Sequence, residues 1–185
     1  MQRAYFALGK YEEALAVAEA APAEMYPFQY PNQLALKLIY ERRFEAALAE
    51  ADKMLERNPG YISALKVKGD VHFFRAEWEQ AEGYYRELLN PVGADWKRLW
   101  SRHDAMFRLA VLYFAKGQFD QALDFVNQAL YENTAVGERR WHLLLHACKA
   151  DVLVEQGDLS GAYAEIQIAL EEADRRDHVT GMIYG

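Results

Sequence analysis

The sequence predicts an all-α protein in which antiparallel helix pairs stack as an array, and two regularities carry this prediction. Five times along the 185 residues, a bulky apolar residue is followed three positions later by alanine. The bulky residues stand 33, 34, 41 and 40 positions apart. Self-similarity at such a period is typical of helical repeats. The five pairs are Tyr11 with Ala14, Phe44 with Ala47, Trp78 with Ala81, Phe119 with Ala122, and Leu159 with Ala162.

The positions around each pair are those expected where helices pack closely. A small residue stands nine positions before the bulky one in the last four copies, which lets two helix backbones approach. Apolar residues follow the alanine after four and seven positions, so each second helix is expected to bury one face. The small residues are Ala35, Gly69, Ala110 and Ala150. The face residues are Ala51, Tyr85, Val126 and Ile166, then Met54, Leu88, Ala129 and Ala169.

The turn inside each pair has its own signal. Two residues before the bulky position, three copies carry glycine, at Gly9, Gly117 and Gly157. Glycine adopts the left-handed conformation that ends many helices at little energetic cost. Arg42 and Ala76 replace it in the second and third copies, which predicts that those two turns close in a different way.

The periodicity predicts ten helices in five pairs within a single domain that covers residues 1–185. Repeats are expected near 1–22, 28–60, 61–92, 94–134 and 137–175, and residues 176–185 are expected to begin a further helix. Extended first helices explain the longer spacings of the last two copies. The predicted helices span 1–8 and 11–20, 30–42 and 44–57, 61–75 and 78–90, 95–116 and 119–132, and 137–156 and 159–175.

These residues give the chain a resemblance to the tetratricopeptide repeat family. That family has a small residue at its eighth position, glycine at the fifteenth, an aromatic at the seventeenth, and alanine at the twentieth and twenty-seventh. Segment 103–132 matches best, with Ala110, Tyr113, Gly117, Phe119, Ala122 and Ala129 in place. The resemblance implies a right-handed superhelical array, an α-solenoid, whose concave groove binds a protein or peptide.

Composition narrows the class of protein further. The formal net charge is −7, whereas nucleic-acid readers present a basic face, so nucleic acid is not expected as a partner. No apolar run approaches the roughly 18–20 residues of a membrane helix, and the first residues lack the layout of a signal peptide. Cys148 is the only cysteine. The predicted compartment is therefore the cytoplasm, with no membrane partner.

The candidate chemical sites are weak. His142 and His146 stand four apart on a predicted helix near Cys148, but no third metal ligand follows at a recognisable spacing. His103 and Asp104 are adjacent, and adjacent helix residues do not face each other. The phosphate-binding and nucleophile-elbow glycine motifs are absent. We therefore predict no enzymatic activity, no catalytic residue, no cofactor and no metal.

The family resemblance implies which residues line the groove, namely the second, fifth, ninth, twelfth and thirteenth positions of each first helix. Their aromatic side chains could accept apolar groups of a ligand, while Lys66, Asp70 and Asp151 could form charge-assisted bonds. The expected groove residues are Asn32, Leu36, Tyr40, Lys66, Asp70, Phe73, Phe107, Val111, Phe114, Asp151 and Glu155. The same positions also include Phe6, Ile39, Phe74 and Val154.

Two functions remain open from the sequence. The first is a non-catalytic scaffold that docks a protein or peptide of mixed apolar and basic character in the groove. The alternative is the sensor region of a larger bacterial signalling or transcription regulator, in which a ligand changes the pitch of the array. Self-association through the C-terminal helix is a further expectation, since Met182, Ile183 and Tyr184 have no following helix to cover them.

Overall fold

The described part of the protein consists of α-helices joined by short turns. The computed structural model describes residues 29–89 except 58 and 60, residues 96–136, and residues 141–184. Within these ranges there are eight α-helices and no β-strand, which confirms the all-α fold class. The predicted helices 1–8 and 11–20 lie outside the described residues, as does Phe6.

The chain divides into two compact units, Met1–Gly93 and Ala94–Gly185. The described helices of unit 1 and unit 2 agree closely with the predicted ranges, and the expectation of one continuous domain stays a prediction. Unit 1 contains α1 (Gln29–Tyr40), α2 (Phe44–Arg57), α3 (Ile62–Phe74) and α4 (Trp78–Leu89). Unit 2 contains α5 (Trp96–Ala115), α6 (Phe119–Val136), α7 (His142–Glu155) and α8 (Leu159–Tyr184).

Each unit stacks two helix pairs in the same order. In unit 1, α1 pairs with α2 and α3 with α4, while α3 also packs on both α1 and α2. In unit 2, α5 pairs with α6 and α7 with α8, while α7 packs on both α5 and α6. The first helices of neighbouring pairs therefore lie side by side, and each second helix is followed by the first helix of the next pair.

The residues that define the repeat form the contacts between these helices. The small residues Ala35, Ala110 and Ala150 are buried, and so are the alanines at the pair contact: Ala47, Ala81, Ala122 and Ala162. On α2, α4 and α6 the face four and seven positions after the alanine is also buried, as predicted. The exception is α8, where Ile166 is exposed while Ala169 is buried.

Similar polar contacts link consecutive pairs in both units. In unit 1, Nη2 of Arg75 lies 2.5 Å from Oε1 of Glu45, which joins the end of α3 to the start of α2. In unit 2, Nε2 of Gln156 donates to Oδ1 of Asp120 at 3.1 Å, which joins the end of α7 to the start of α6. These residues occupy matching repeat positions, so the two units use one geometry with different side chains.

The C-terminal helix is longer than predicted. We expected a helix over 159–175 and the start of another at 176–185, but α8 continues without a break from Leu159 to Tyr184. The reason is local: residues 162–180 contain neither glycine nor proline, so nothing stops the helix where the repeat period ends. No described helix, α8 included, joins the length and the apolar character needed to cross a bilayer.

The four described turns within pairs close in the same way, which corrects the expectation for two of them. Gly117 and Gly157 have φ values of 71° and 83°, and Arg42 and Ala76 lie in the same left-handed region, at 57° and 58°. In each turn the N–H of this residue donates to the carbonyl oxygen three residues earlier. The N–H of the next residue donates to the carbonyl oxygen five residues before itself. That pattern is the Schellman motif. Arg42 and Ala76 therefore adopt the left-handed turn without the glycine that favours it.

We expect Ala76→Gly to raise the free energy of unfolding by about 0.5–1 kcal/mol. In the left-handed region, a residue with a Cβ lowers the stability of the folded state by about 1–2 kcal/mol, and glycine avoids this loss. Glycine also adds entropy to the unfolded chain, but that effect costs only about 0.4–1 kcal/mol of stability. The matched control is Ala164→Gly at an exposed interior position of α8, which should lower it by about 0.5–1 kcal/mol. Urea denaturation followed by circular dichroism gives both values, and shifts of the same sign would contradict this account of the turn.

Candidate functional site

Unit 1 presents aromatic side chains at the ends of its two first helices. Tyr40 and Phe74 occupy the same repeat position, four residues before Phe44 and Trp78, and they are 72% and 56% exposed. Leu36 and Lys66 are half-buried on the same helices. We call Leu36, Tyr40, Lys66, Phe73 and Phe74 the unit 1 face. Asn32 belongs to α1, and its side chain lies outside what the structure describes.

Asp70 does not belong to that exposed surface, although the family pattern put it there. It is 7% exposed, and its Oδ1 accepts a hydrogen bond from the hydroxyl of Tyr85 at 2.9 Å. This bond joins α3 to α4 inside one helix pair. Asp70 thus stabilises the pair, because a buried carboxylate needs such partners.

Phe73 is only partly open to solvent. Its ring packs edge-on against Trp78 at 5.6 Å and against Phe74 at 5.5 Å between ring centroids. Of the predicted unit 1 aromatics, Phe73 therefore supports the turn between α3 and α4, while Tyr40 and Phe74 project further. Burial against Trp78 could not be inferred from the spacing of α3 alone.

In unit 2 the outward side of α7 is open along its whole length. The predicted residues Asp151, Val154 and Glu155 are exposed, and so are Leu144 and Ala147. The angular spacing of 100° per residue puts these five on one side of the helix. We call them the α7 face. Leu144 and Ala147 stand at the second and fifth positions of the repeat, so extending the register to the start of α7 would have found them.

The predicted groove residues on α5 are covered more than those on α7. Phe107 is half-buried, and its ring lies 6.0 Å from that of Trp141 between centroids. Phe114 is half-buried against Phe119 at 5.9 Å. Val111 is half-buried as well. Like Phe73, Phe107 and Phe114 contribute to packing within their unit and expose only part of the ring.

The histidines considered for metal binding lie close to other side chains of α7 and α8. Nδ1 of His146 lies 2.6 Å from Oε2 of Glu165, and Nζ of Lys149 lies 2.8 Å from the other carboxylate oxygen of Glu165. The rings of His142 and His146 are 5.8 Å apart between centroids. No group of three or more His, Cys, Asp or Glu side chains in the described part of the chain is arranged to hold a metal ion.

Cys148 and His103 are buried, and Asp104 is hydrogen-bonded to Arg108. Burial, with a smaller contribution from the charge of Asp151, raises the pKa of the Cys148 thiol to about 11. The thiol is therefore protonated at neutral pH, and a protonated thiol is a poor nucleophile. His103 is buried, and its Nε2 lies 4.0 Å from Oε2 of Glu132. Oδ1 of Asp104 accepts a hydrogen bond from Nε of Arg108 at 3.0 Å.

This geometry defines the class of the protein. Stacked antiparallel helix pairs, joined by equivalent turns and equivalent contacts, make it an α-helical repeat protein. No protein-family model matches the chain. A curated relative, the tetratricopeptide repeat protein 21 homolog of Caenorhabditis briggsae, is 26% identical over 127 residues. The match spans 68% of this chain and only 9% of the relative's length.

Solved structures show the same fold. A thermophilic TPR protein of Thermus thermophilus matches with a TM-score of 0.66 at 20% identity, covering 98% of this chain and 95% of that one. BtubC from P. vanneervenii gives 0.60 at 22% identity, covering 74% and 58%. MamA gives 0.57 at 12% identity, covering 96% and 97%. With the repeat residues and the curated relative, these structures show that the chain has the fold of TPR-type helical repeat proteins.

Proposed function

We propose that this protein is a non-catalytic scaffold that binds a partner protein or peptide on the outward sides of its first helices. The observation that carries the proposal is the α7 face, where all five outward positions are exposed. Three of them are apolar and two are acidic. A continuous exposed helix side of this mixed character is suited to an extended or helical ligand segment.

The charges of the α7 face favour a ligand of basic character. Asp151 and Glu155 are exposed, and neither forms an ion pair with another residue in the described ranges. A lysine or arginine of the ligand would find an uncommitted carboxylate there. Leu144 and Val154, at 44% and 47% exposure, offer apolar area on the same side of the helix as the acids. The matching segment therefore combines apolar side chains with lysine or arginine.

Unit 1 supports the same proposal with different chemistry. Tyr40 and Phe74 are large, exposed and equivalent in the repeat, and they stand at the last turns of neighbouring first helices. Aromatic side chains of this kind contribute much of the affinity at protein interfaces because they bury a large area with few rotatable bonds. Unit 1 is thus a second candidate surface for apolar groups of a partner.

A non-catalytic role fits the state of the reactive side chains. The Cys148 thiol is protonated at neutral pH, and His146 is held by Glu165. The α7 face and the exposed tips of the unit 1 face carry aromatic, aliphatic and acidic side chains. Such a set can bind and orient a partner, but it offers neither an activated nucleophile nor a base beside one.

Selection from a displayed library of random peptides, with the whole chain as bait, tests the proposal. We expect enrichment of sequences with apolar residues and lysine or arginine at helical or alternate spacing. Fluorescence anisotropy of a labelled selected peptide then gives its affinity. Selection of acidic peptides, or none above background, would contradict the proposed chemistry.

Reversing the charge of the α7 face should weaken that binding. In the double variant Asp151→Lys and Glu155→Lys, two lysines repel a basic peptide at the positions where two carboxylates attract it. The affinity of the peptide should fall about tenfold or more at low salt. The difference should shrink as salt screens the charges. Asp124→Lys is the control, since it adds a lysine at an exposed position of the second helix α6.

The control variant should bind like the parent. The double variant changes the net charge by +4 and Asp124→Lys changes it by +2, so a loss in Asp124→Lys of about half that in the double variant, in free energy, would mean that only net charge matters, and the α7 face would not be the site. The pair Tyr40→Ala and Phe74→Ala reports on the unit 1 face in the same assay. A loss confined to that pair would move the site from unit 2 to unit 1.

A further inference from the structure

The outward positions of the two first helices in unit 2 carry no hydrogen-bond donor in their side chains. These are the second, fifth, ninth, twelfth and thirteenth positions of α5 and α7. Seven of the ten residues are apolar and three are acidic, and an ionised carboxylate only accepts hydrogen bonds. We call these ten residues the unit 2 groove. They are Asp104, Phe107, Val111, Phe114 and Ala115 on α5, and Leu144, Ala147, Asp151, Val154 and Glu155 on α7.

Several of these positions stay open where a neighbouring first helix packs beside them. α7 packs on α5, yet Phe107, Val111 and Phe114 of α5 are half-buried and not buried. The thirteenth position is exposed on each of the four described first helices. Its residues are Tyr40, Phe74, Ala115 and Glu155. The open surface of α5 and of Glu155 therefore does not require that a first helix lack a neighbour.

The lack of donors determines which conformation of a ligand fits the groove. In an extended segment no carbonyl oxygen has a partner within the segment, and the carbonyl groups that face the groove lose their water. The side chains of the groove have no N–H or O–H to replace that water. An α-helix satisfies the carbonyl groups of its interior with its own N–H groups, so it lies against the same surface without this loss. The groove therefore favours a helical ligand over an extended one.

Three donors beside the groove are engaged with other residues. Nε of Arg108 donates to Oδ1 of Asp104 at 3.0 Å, within α5. Nε2 of Gln156 donates to Asp120 at 3.1 Å, and Nζ of Lys116 lies 5.4 Å from the ring centre of Tyr113. These contacts hold the donors within unit 2, where they contribute to its own packing.

The spacing of side chains along α7 also fits a helical ligand. Four exposed residues are separated by three, four and three positions, which is the spacing at which one helix meets another in a coiled coil. They are Leu144, Ala147, Asp151 and Val154. This pattern repeats after seven residues, or about 10.5 Å along the axis, and a ligand helix has the same repeat. Side chains on one side of an extended segment recur about every 6.6 Å instead.

The end of α7 favours basic residues on the ligand helix. Asp151 and Glu155 are exposed one turn apart, and no basic residue lies in the last turn of α7. The C-terminal end of a helix carries a partial negative charge, so an acid there is disfavoured until a cation approaches it. Two lysine or arginine side chains one turn apart on a ligand helix have the spacing of the two carboxylates, about 6 Å along the axis.

We propose that the unit 2 groove binds an amphipathic α-helix of a partner protein. The apolar side of this helix lies against Phe107, Val111 and Leu144, and two basic residues one turn apart lie beside Asp151 and Glu155. The inference rests on the function proposed above, and it adds the conformation of the ligand and the spacing of its basic residues. The formal net charge of −7 opposes a second copy of the chain as the occupant.

Two displayed peptide libraries of the same composition test the conformation of the ligand. One library places apolar residues at helical spacing, with lysines one turn apart, and the other places the same residues in strict alternation. With the whole chain as bait, we expect at least tenfold more enrichment from the helical library. Equal or greater enrichment from the alternating library would overturn the helical ligand and leave the proposed function standing. Enrichment from neither library would overturn both.

The most enriched helical peptide then reports its bound conformation. Replacing two central residues by their D-enantiomers keeps the composition and charge but breaks a right-handed helix. The affinity, measured by fluorescence anisotropy, should fall at least tenfold. In the complex with the unmodified peptide, the backbone carbon chemical shifts of the ¹³C-labelled peptide should be helical. Shifts of an extended chain, or equal affinity of the D-residue peptide, would overturn the proposal.

One matched pair of variants tests the position of the ligand on α7. Ala147→Arg fills the centre of the α7 face and adds a positive charge beside a basic ligand, so the affinity for the selected peptide should fall at least tenfold. Ala164→Arg makes the same substitution at an exposed position of the second helix α8, and it should change the affinity less than twofold. Both variants have the same net charge and should keep the helical signal of the parent. Equal affinities in the two variants would overturn the assignment to the unit 2 groove.

Discussion

Replacing Gly69 with alanine is expected to lower the free energy of unfolding by about 1–3 kcal/mol, because the added methyl group has no space. A Cβ at this position of α3 would overlap the ring carbons of Tyr85. Tyr85 is buried on α4, and its hydroxyl donates to Asp70 at 2.9 Å. The ring cannot swing away from a new methyl group without losing that hydrogen bond. Urea denaturation followed by circular dichroism measures the change.

Gly83 supplies the matched control for this prediction. It lies on the neighbouring helix α4, is exposed, and has no atom within 4 Å of its would-be Cβ. Gly83→Ala should therefore raise the free energy of unfolding by about 0.4–1 kcal/mol, through lower entropy of the unfolded chain. If Gly69→Ala were as stable as the parent, the close approach of α3 and α4 at Tyr85 would not exist in solution.

The repeat pattern predicted helix positions well because its residues act within one pair. Ala47 and Phe44 stand at the start of α2, and the helix begins and ends where the period placed it, at Phe44 and Arg57. Alanine is required at the contact because the facing helix leaves no room for a larger side chain. Because every pair has this requirement, alanine recurs at a regular spacing that a single sequence can reveal.

The turns show that the conformational preference of a residue alone does not predict the turn geometry. Arg42 and Ala76 lack the glycine that favours a left-handed turn, yet their φ values match those of Gly117 and Gly157. The packing of two antiparallel helices determines the geometry, and the turn residue adopts it at some loss of stability. A local preference of about 1–2 kcal/mol is small beside the burial of a whole helix pair.

The candidate site could be predicted only in outline. The repeat register correctly assigned Tyr40, Asp151 and Glu155 to open positions. It could not show that Asp70 is bound by Tyr85, fifteen residues later on another helix, because that contact depends on tertiary packing. Which exposed residues contact a partner stays a prediction, since groove residues vary without affecting the fold.

The exposed side of α8 illustrates a related limit. The period predicts Ile166 as a buried residue, as its equivalents Ala51, Tyr85 and Val126 are. On α2 and α6 the following first helix also packs against the second helix of the pair. A pattern read from one repeat cannot show which helices pack against its second helix. The repeat position of Ile166 is thus buried on α2 and exposed on α8.

Replacing Ala122 with leucine is expected to lower the free energy of unfolding by about 1–3 kcal/mol. Ala122 is fully buried on α6 at the contact with α5, and it is equivalent to Ala47 and Ala81, which are also fully buried. A leucine there must push the two helices apart or adopt a strained side-chain conformation. Chemical denaturation measures the loss, and the tyrosine and tryptophan signals can report on the packing.

Gln121→Leu separates overpacking from the other effects of introducing leucine. Gln121 is the exposed neighbour of Ala122 on the same helix, and glutamine and leucine have similar helix propensities. This control should change the free energy of unfolding by no more than about 0.5 kcal/mol. If Ala122→Leu lowers the free energy of unfolding strongly and Gln121→Leu hardly changes it, the contact with α5 lies on the side of α6 that carries Ala122. Unfolding of Ala122→Leu at the parent's denaturant midpoint would show that the alanine is not at that contact, and the repeat register would then be wrong along the chain.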